Sequence, residues 1–74
     1  MFVEVKLFAT YRQGRFKVKK MELAESSLLR DVIEPLGLPD EPPKILMVNG
    51  INSGEDHELS EGDVIAIFPM IAGG

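Results

Sequence analysis

Val64-Ile65-Ala66-Ile67-Phe68 decides the fold, because five consecutive apolar residues make a strand that is apolar on both faces. A strand of that kind, buried on both sides, is normally central in its sheet, beside another strand of high apolar content. Phe2 to Phe8 is the natural neighbour, with Val3, Val5 and Leu7 on one face and Glu4 and Lys6 on the other. The tight turn Glu61-Gly62-Asp63 leads into the last strand. A right-handed crossover makes the first and last strands parallel.

Working outward, alternation stops in the polar stretch Thr10 to Arg15, where Gly14 can take a positive φ. It resumes with Phe16, Val18 and Met21 opposite Lys17 and Lys19, which predicts a β-hairpin. Ser26 and Ser27 offer a side-chain oxygen to cap a helix, and Leu28, Leu29, Val32, Ile33 and Leu36 recur at the spacing of one helical face. The helix is expected from about Ser27 to Leu36, loosened near its end by Pro35 and terminated by Gly37 in the left-handed region. Pro39 to Pro43 reads as a stiff, extended connector inside the domain. Ile45 to Val48 reads as a short strand ended by the turn dipeptide Asn49-Gly50, and of the polar stretch beyond it only Ile51 and Leu59 look buried. Together these elements predict one α+β domain over residues 1–74: a mixed sheet covered on one face by a single main helix, a β-grasp arrangement.

At 74 residues the chain has room for one core, and with no cysteine it has neither disulfide, thiolate metal site nor thiol nucleophile. The longest apolar stretch, Val64 to Ala72, is far shorter than the ~20 residues of a membrane span. Glu4 and Lys6 interrupt the first apolar residues, so a signal peptide is not expected and the cytoplasm is. The net charge of −4 is unevenly divided. Residues 1–20 hold Lys6, Arg12, Arg15, Lys17, Lys19 and Lys20 against Glu4 alone, whereas residues 21–74 hold Arg30 and Lys44 against eleven acids. The acidic majority argues against nucleic acid as a partner and for a basic protein surface. The lysines of the hairpin have a simpler reading as the solvated side of an edge strand, where they discourage edge-to-edge pairing.

Side chains arranged for catalysis are missing from the pattern. His57 is the only histidine, and Asp56 and Glu58 beside it diverge if the chain is extended, so no metal is expected. No glycine-rich phosphate loop precedes the helix, and no serine has a histidine and carboxylate to activate it. Asp31, Glu34, Glu55 and Asp56 lack the apolar surroundings that would raise one carboxyl pKa for acid–base work. What remains is the segment from Pro69 to Gly74, where Pro69 removes a ladder donor and nothing after Phe68 is expected to pair well. Its two glycines suit a flexible tail, disordered from about Met70, that threads a narrow channel and leaves the last carbonyl unhindered. Six residues could reach roughly 20 Å. A frayed terminus is the plain alternative, but apolar Met70 and Ile71 beside Pro69 suit docking better than exposure to solvent.

Asp56-His57-Glu58-Leu59-Ser60-Glu61-Gly62-Asp63, then Ala66-Ile67-Phe68-Pro69 and the ending Ile71-Ala72-Gly73-Gly74, resemble the MoaD-like small subunit of molybdopterin synthase, within the ubiquitin-like MoaD/ThiS sulfur carriers. Leu7 to Arg12 resembles that family's first strand and loop, and Val48-Asn49-Gly50 its middle turn. Gln13 departs from the glutamate that commonly follows the arginine, and Met70 from a second proline. The resemblance implies that a MoeB/ThiF-type enzyme adenylates the Gly74 carboxylate with ATP and that a sulfur donor protein converts it to a thiocarboxylate. A MoaE-like large subunit, which would hold the catalytic side chains, would then receive the tail and build the dithiolene of the cofactor. The resemblance puts Phe8 and Phe68 near that subunit contact, with Pro69, Met70, Ile71, Ala72 and Gly73 lining the tail's path. Both rings could equally be core residues. No permanently bound cofactor and no membrane partner are implied. Three alternatives stay open: a ThiS-like carrier for thiamine, a ubiquitin-like modifier joined to lysines through Gly74, and a binding module with an inert tail.

Overall fold

A computed structural model describes residues 1–70, and in it β5 (Val64–Pro69) lies in the middle of a five-stranded sheet. The order is β2-β1-β5-β3-β4, with β1 (Phe2–Leu7), β2 (Val18–Glu22), β3 (Lys44–Val48) and β4 (Ile51–Asn52). β1 runs parallel to β5 in the register Val5 to Ile65, and antiparallel to β2. β3 runs antiparallel to both β5 and β4. The expected mixed sheet, with parallel first and last strands, is what forms.

The one α-helix among the described residues, α1 (Leu29–Ile33), covers one face of this sheet. Leu29, Val32 and Ile33 meet Val3, Val5, Leu7, Leu46, Val48, Ile65 and Ile67 in the core, together with Leu59 and Tyr11. Pro35 converts the last turn to a 3₁₀ segment, Glu34–Leu36, and Gly37 ends it at φ 63° in the left-handed region, as expected. The start of the helix differs from the expectation. Ser26 and Ser27 do not cap it; the Asp31 carboxylate accepts from Leu28 N–H at 2.8 Å, and the carbonyls of His57 and Glu55 accept from Leu29 and Arg30 N–H. The 53–59 loop thus serves as the cap, using backbone groups brought from afar. At the other end Arg15 Nε and Nη2 donate to the carbonyls of Leu36 and Gly37, tying the β1–β2 loop to the helix terminus.

Three further expectations are corrected. Val18 pairs with Lys6 on the face away from α1, while Lys19 and Met21 pair with the inward Val5 and Val3. Lysines on both sides of Val18 concealed that phase. Ile51 is exposed, because β4 is two residues long and sits at the sheet edge. The Pro39 to Pro43 connector bends instead of extending, and Lys44 Nζ donates to Pro39 O across it at 3.0 Å. Asn49-Gly50 forms the turn with both residues at positive φ, as its sequence demands. No helix among the described residues is long and apolar enough to cross a membrane.

Candidate functional site

One helix covers one face, so among the described residues no element lies over the apolar residues of β5 on the other face. Ile65 and Ile67 are buried in the core with the α1 residues and Pro69 is buried on the same side, whereas Val64, Ala66 and Phe68 are half-buried on the open face. The expectation that β5 is buried on both sides therefore holds for only one of them. The register places Ile45 beside Phe68 and Met47 beside Ala66. An apolar strip crosses the open face at the end where β5 leaves the sheet. The signal for it was already present, since a second apolar face with no second helix needs another cover.

Phe8 and Phe68 stack at the head of this strip, with ring centroids 4.3 Å apart and planes inclined by 14°. Both are half-buried, and neither belongs to the core cluster. Arg12, from the 3₁₀ segment Ala9–Arg12, lays its guanidinium over Phe8 with Cζ 5.2 Å from the ring centroid. Its Nε donates to Leu7 O at 2.7 Å. The local chain explains the placement: Ala9 takes φ 55°, which turns the backbone away from β1 directly after Phe8. In the sequence Arg12 is one basic residue among the six of residues 1–20, and only the fold brings it over Phe8. Lys6 and Glu4, 3.8 Å apart, flank the strip on the same face.

The start of the tail is more ordered than expected. Odd-numbered residues of β5 turn their backbone groups to β1, as Glu4 N–H to Asp63 O and Phe8 N–H to Ile67 O show; even-numbered ones turn to β3. By that alternation the missing N–H of Pro69 would face Phe8 O at the end of β1, and that carbonyl accepts from Tyr11 N–H at 3.2 Å instead, so it is not left unpaired. Pro69 pairs with Lys44, and Met70 N–H donates to Pro43 O at 2.8 Å. The side chain of Met70 is exposed. Ile71, Ala72, Gly73 and Gly74, and with them the expected disorder, lie outside the described residues.

Asp56, His57 and Glu58 are exposed in the 53–59 loop, and no group of three or more His, Asp or Glu side chains is placed to hold a metal among the described residues. Nor do the described residues bring an acid, a base and a nucleophile together on the open face. The open face presents an apolar strip, a stacked aromatic pair and a fixed cation close to where β5 ends.

The ThiS family model matches residues 5–74, nearly the whole chain. The chain belongs to the MoaD/ThiS family of ubiquitin-like sulfur carriers. A putative molybdopterin converting factor, subunit 1, from Pyrococcus furiosus is 31% identical to this carrier, over 96% of this chain and 99% of that one, with a TM-score of 0.79. SAMP1 from Haloferax volcanii, at 20% identity, superposes over 100% of both chains with a TM-score of 0.80. In a protein–protein complex of subunits 1 and 2 of molybdopterin-converting factor from Helicobacter pylori, the matching chain is 20% identical, with 100% of both chains covered and a TM-score of 0.70. The last two likenesses show the β-grasp fold alone.

Proposed function

We propose that the carrier holds sulfur as a thiocarboxylate on Gly74 and donates it in molybdopterin biosynthesis, as the non-catalytic small subunit of a synthase. The observation that carries this reading is the Phe8–Phe68 stack, half-exposed on the open face where β5 gives way to the Pro69–Gly74 segment. An adenylating enzyme of the MoeB/ThiF type joins the Gly74 carboxylate to AMP, using ATP and releasing pyrophosphate. A carboxylate is a poor electrophile, whereas the mixed anhydride lets a sulfur nucleophile displace AMP. A MoaE-like large subunit then covers the stack and takes the tail into its own active site, with Met70, Ile71, Ala72 and Gly73 lining the passage and the buried Pro69 fixing where it starts.

The Pyrococcus relative supports the molybdopterin branch through the name it carries. The matched family's own name favours thiamine as the second reading. Sulfur acceptors separate the two. The loaded carrier is offered a cyclic pterin precursor with the large subunit and, separately, thiazole synthase with its substrates. Loss of the thiocarboxylate mass with dithiolene formation in the first mixture is the expected result. Transfer only in the second would assign the carrier to thiamine.

A further inference from the structure

We propose that Arg12 is the polar anchor of the docking face, and that the protein covering the Phe8–Phe68 stack presents a carboxylate to its guanidinium. The inference rests on the docking reading above. Arg12 is exposed but fixed at two points, through Nε to Leu7 O at 2.7 Å and through its stack on Phe8. Among the described residues Nη1 and Nη2 have no acceptor, and the ion pairs found there, Met1 with Glu25 and Lys6 with Glu4, do not include it. Arg15 in the same loop is the contrast, since its Nη groups and Nε are all turned onto backbone carbonyls of the fold. One arginine is used within the structure, and the other offers a free, oriented fork.

Covering Phe8 withdraws the guanidinium stacked on it from water. A charge buried without a counter-charge is strongly disfavoured, so a purely apolar partner surface would bind poorly here. A carboxylate matches the planar fork with two parallel hydrogen bonds, and the guanidinium is already held in place before contact. A nucleic-acid phosphate also offers oxygens, but its backbone is a polyanion that would meet the net charge of −4 along its length, whereas a single carboxylate meets on this face only a Glu4 already paired with Lys6. The carboxylate of a protein is the better fit.

The test titrates the full chain calorimetrically against two probes, the large subunit and the adenylating enzyme encoded by its own host, with thermal melts alongside. Arg12→Ala is expected to weaken binding to at least one probe by about 30-fold or more. Arg12→Lys should recover part of the loss and Arg12→Glu deepen it, with binding of the Glu variant regained when the facing partner carboxylate is replaced by lysine. Arg12→Gln, which keeps a donor for Leu7 O, guards against a purely structural loss and should bind as weakly as the Ala variant. If the unsubstituted chain binds while Arg12→Ala or Arg12→Gln stays within about threefold of it for both probes, the anchor proposal is overturned and the docking reading survives. If the unsubstituted chain binds neither probe, both are overturned.

Discussion

Tyr11 lies buried in the core, and among the described residues its hydroxyl has no hydrogen-bond partner. An unsatisfied buried hydroxyl costs about 1–3 kcal/mol, so Tyr11→Phe, which keeps the ring, should stabilise the protein by about 1 kcal/mol or more at neutral pH. Burial also pushes the phenol pKa above its ordinary value, because the phenolate would lose its hydration. The folded chain therefore holds that proton more tightly than the unfolded chain. This contribution is fully present below about pH 10 and is lost as pH rises through the raised folded value. Melts of both proteins from pH 8 to alkaline pH check the pair of effects: the variant should melt higher throughout, and the gap should widen in alkali. A lower melting temperature for Tyr11→Phe at neutral pH would mean that the hydroxyl has a partner. Phe68 makes the opposite kind of residue. Half-buried and stacked on Phe8, its ring lies outside the core, so Phe68→Ala should cost less than the 3–5 kcal/mol of a core phenylalanine, about 2 kcal/mol at most, while calorimetry shows a large loss of affinity for the large subunit.

The entrance to β5 is held by side chains rather than by pattern. The buried Asp63 carboxylate accepts from Ser60 N–H at 2.8 Å and from Asn49 Nδ2 at 2.9 Å, while Asn49 Oδ1 accepts from Val64 N–H at 2.9 Å. The β3–β4 turn is thereby locked to the start of the central strand. Asp63→Ala should lower stability by about 2–3 kcal/mol in denaturant melts, because it leaves Ser60 N–H and the Asn49 amide without their acceptor. A loss near zero would show that water replaces the carboxylate without cost. This link was invisible in the sequence, where Asn49 reads as a turn residue and Asp63 as part of another turn fourteen positions away. The sheet itself was legible, since five apolar residues in β5 and the alternation of β1 leave few other arrangements. The helix was legible in its apolar face and its Gly37 stop, but its cap comes from the 53–59 loop through backbone carbonyls that no residue pattern encodes. The phase of β2 was lost because only Met21 of this edge strand is turned onto the core, with lysine at the other inward position, Lys19, and apolar Val18 outward. The apolar strip was half legible: Phe8 and Phe68 came from the resemblance, while Ile45, Met47 and Arg12 needed the register and the stack to join them, and Pro69 lies buried on the other face.

At the scale of the molecule, the order β2-β1-β5-β3-β4 sends the chain out of the sheet from its central strand, beside the aromatic stack and near Arg12. A partner that grips the open face is thereby set to receive the segment that leaves it, and the length of that segment fixes where Gly74 arrives. Deleting Gly74, or adding one residue after it, should leave the melting temperature unchanged while abolishing activation, since misplacing a reacting group by about 1 Å can already cost ~100-fold in rate. The most direct test is intact mass after incubation with a MoeB/ThiF-type enzyme, ATP and a sulfur source. The full chain should become heavier by one oxygen-to-sulfur exchange localised to Gly74, and both altered chains should keep their starting mass. Sulfur acquired by the chain lacking Gly74, or a full chain that its host's adenylating enzyme never activates, would contradict the carrier account.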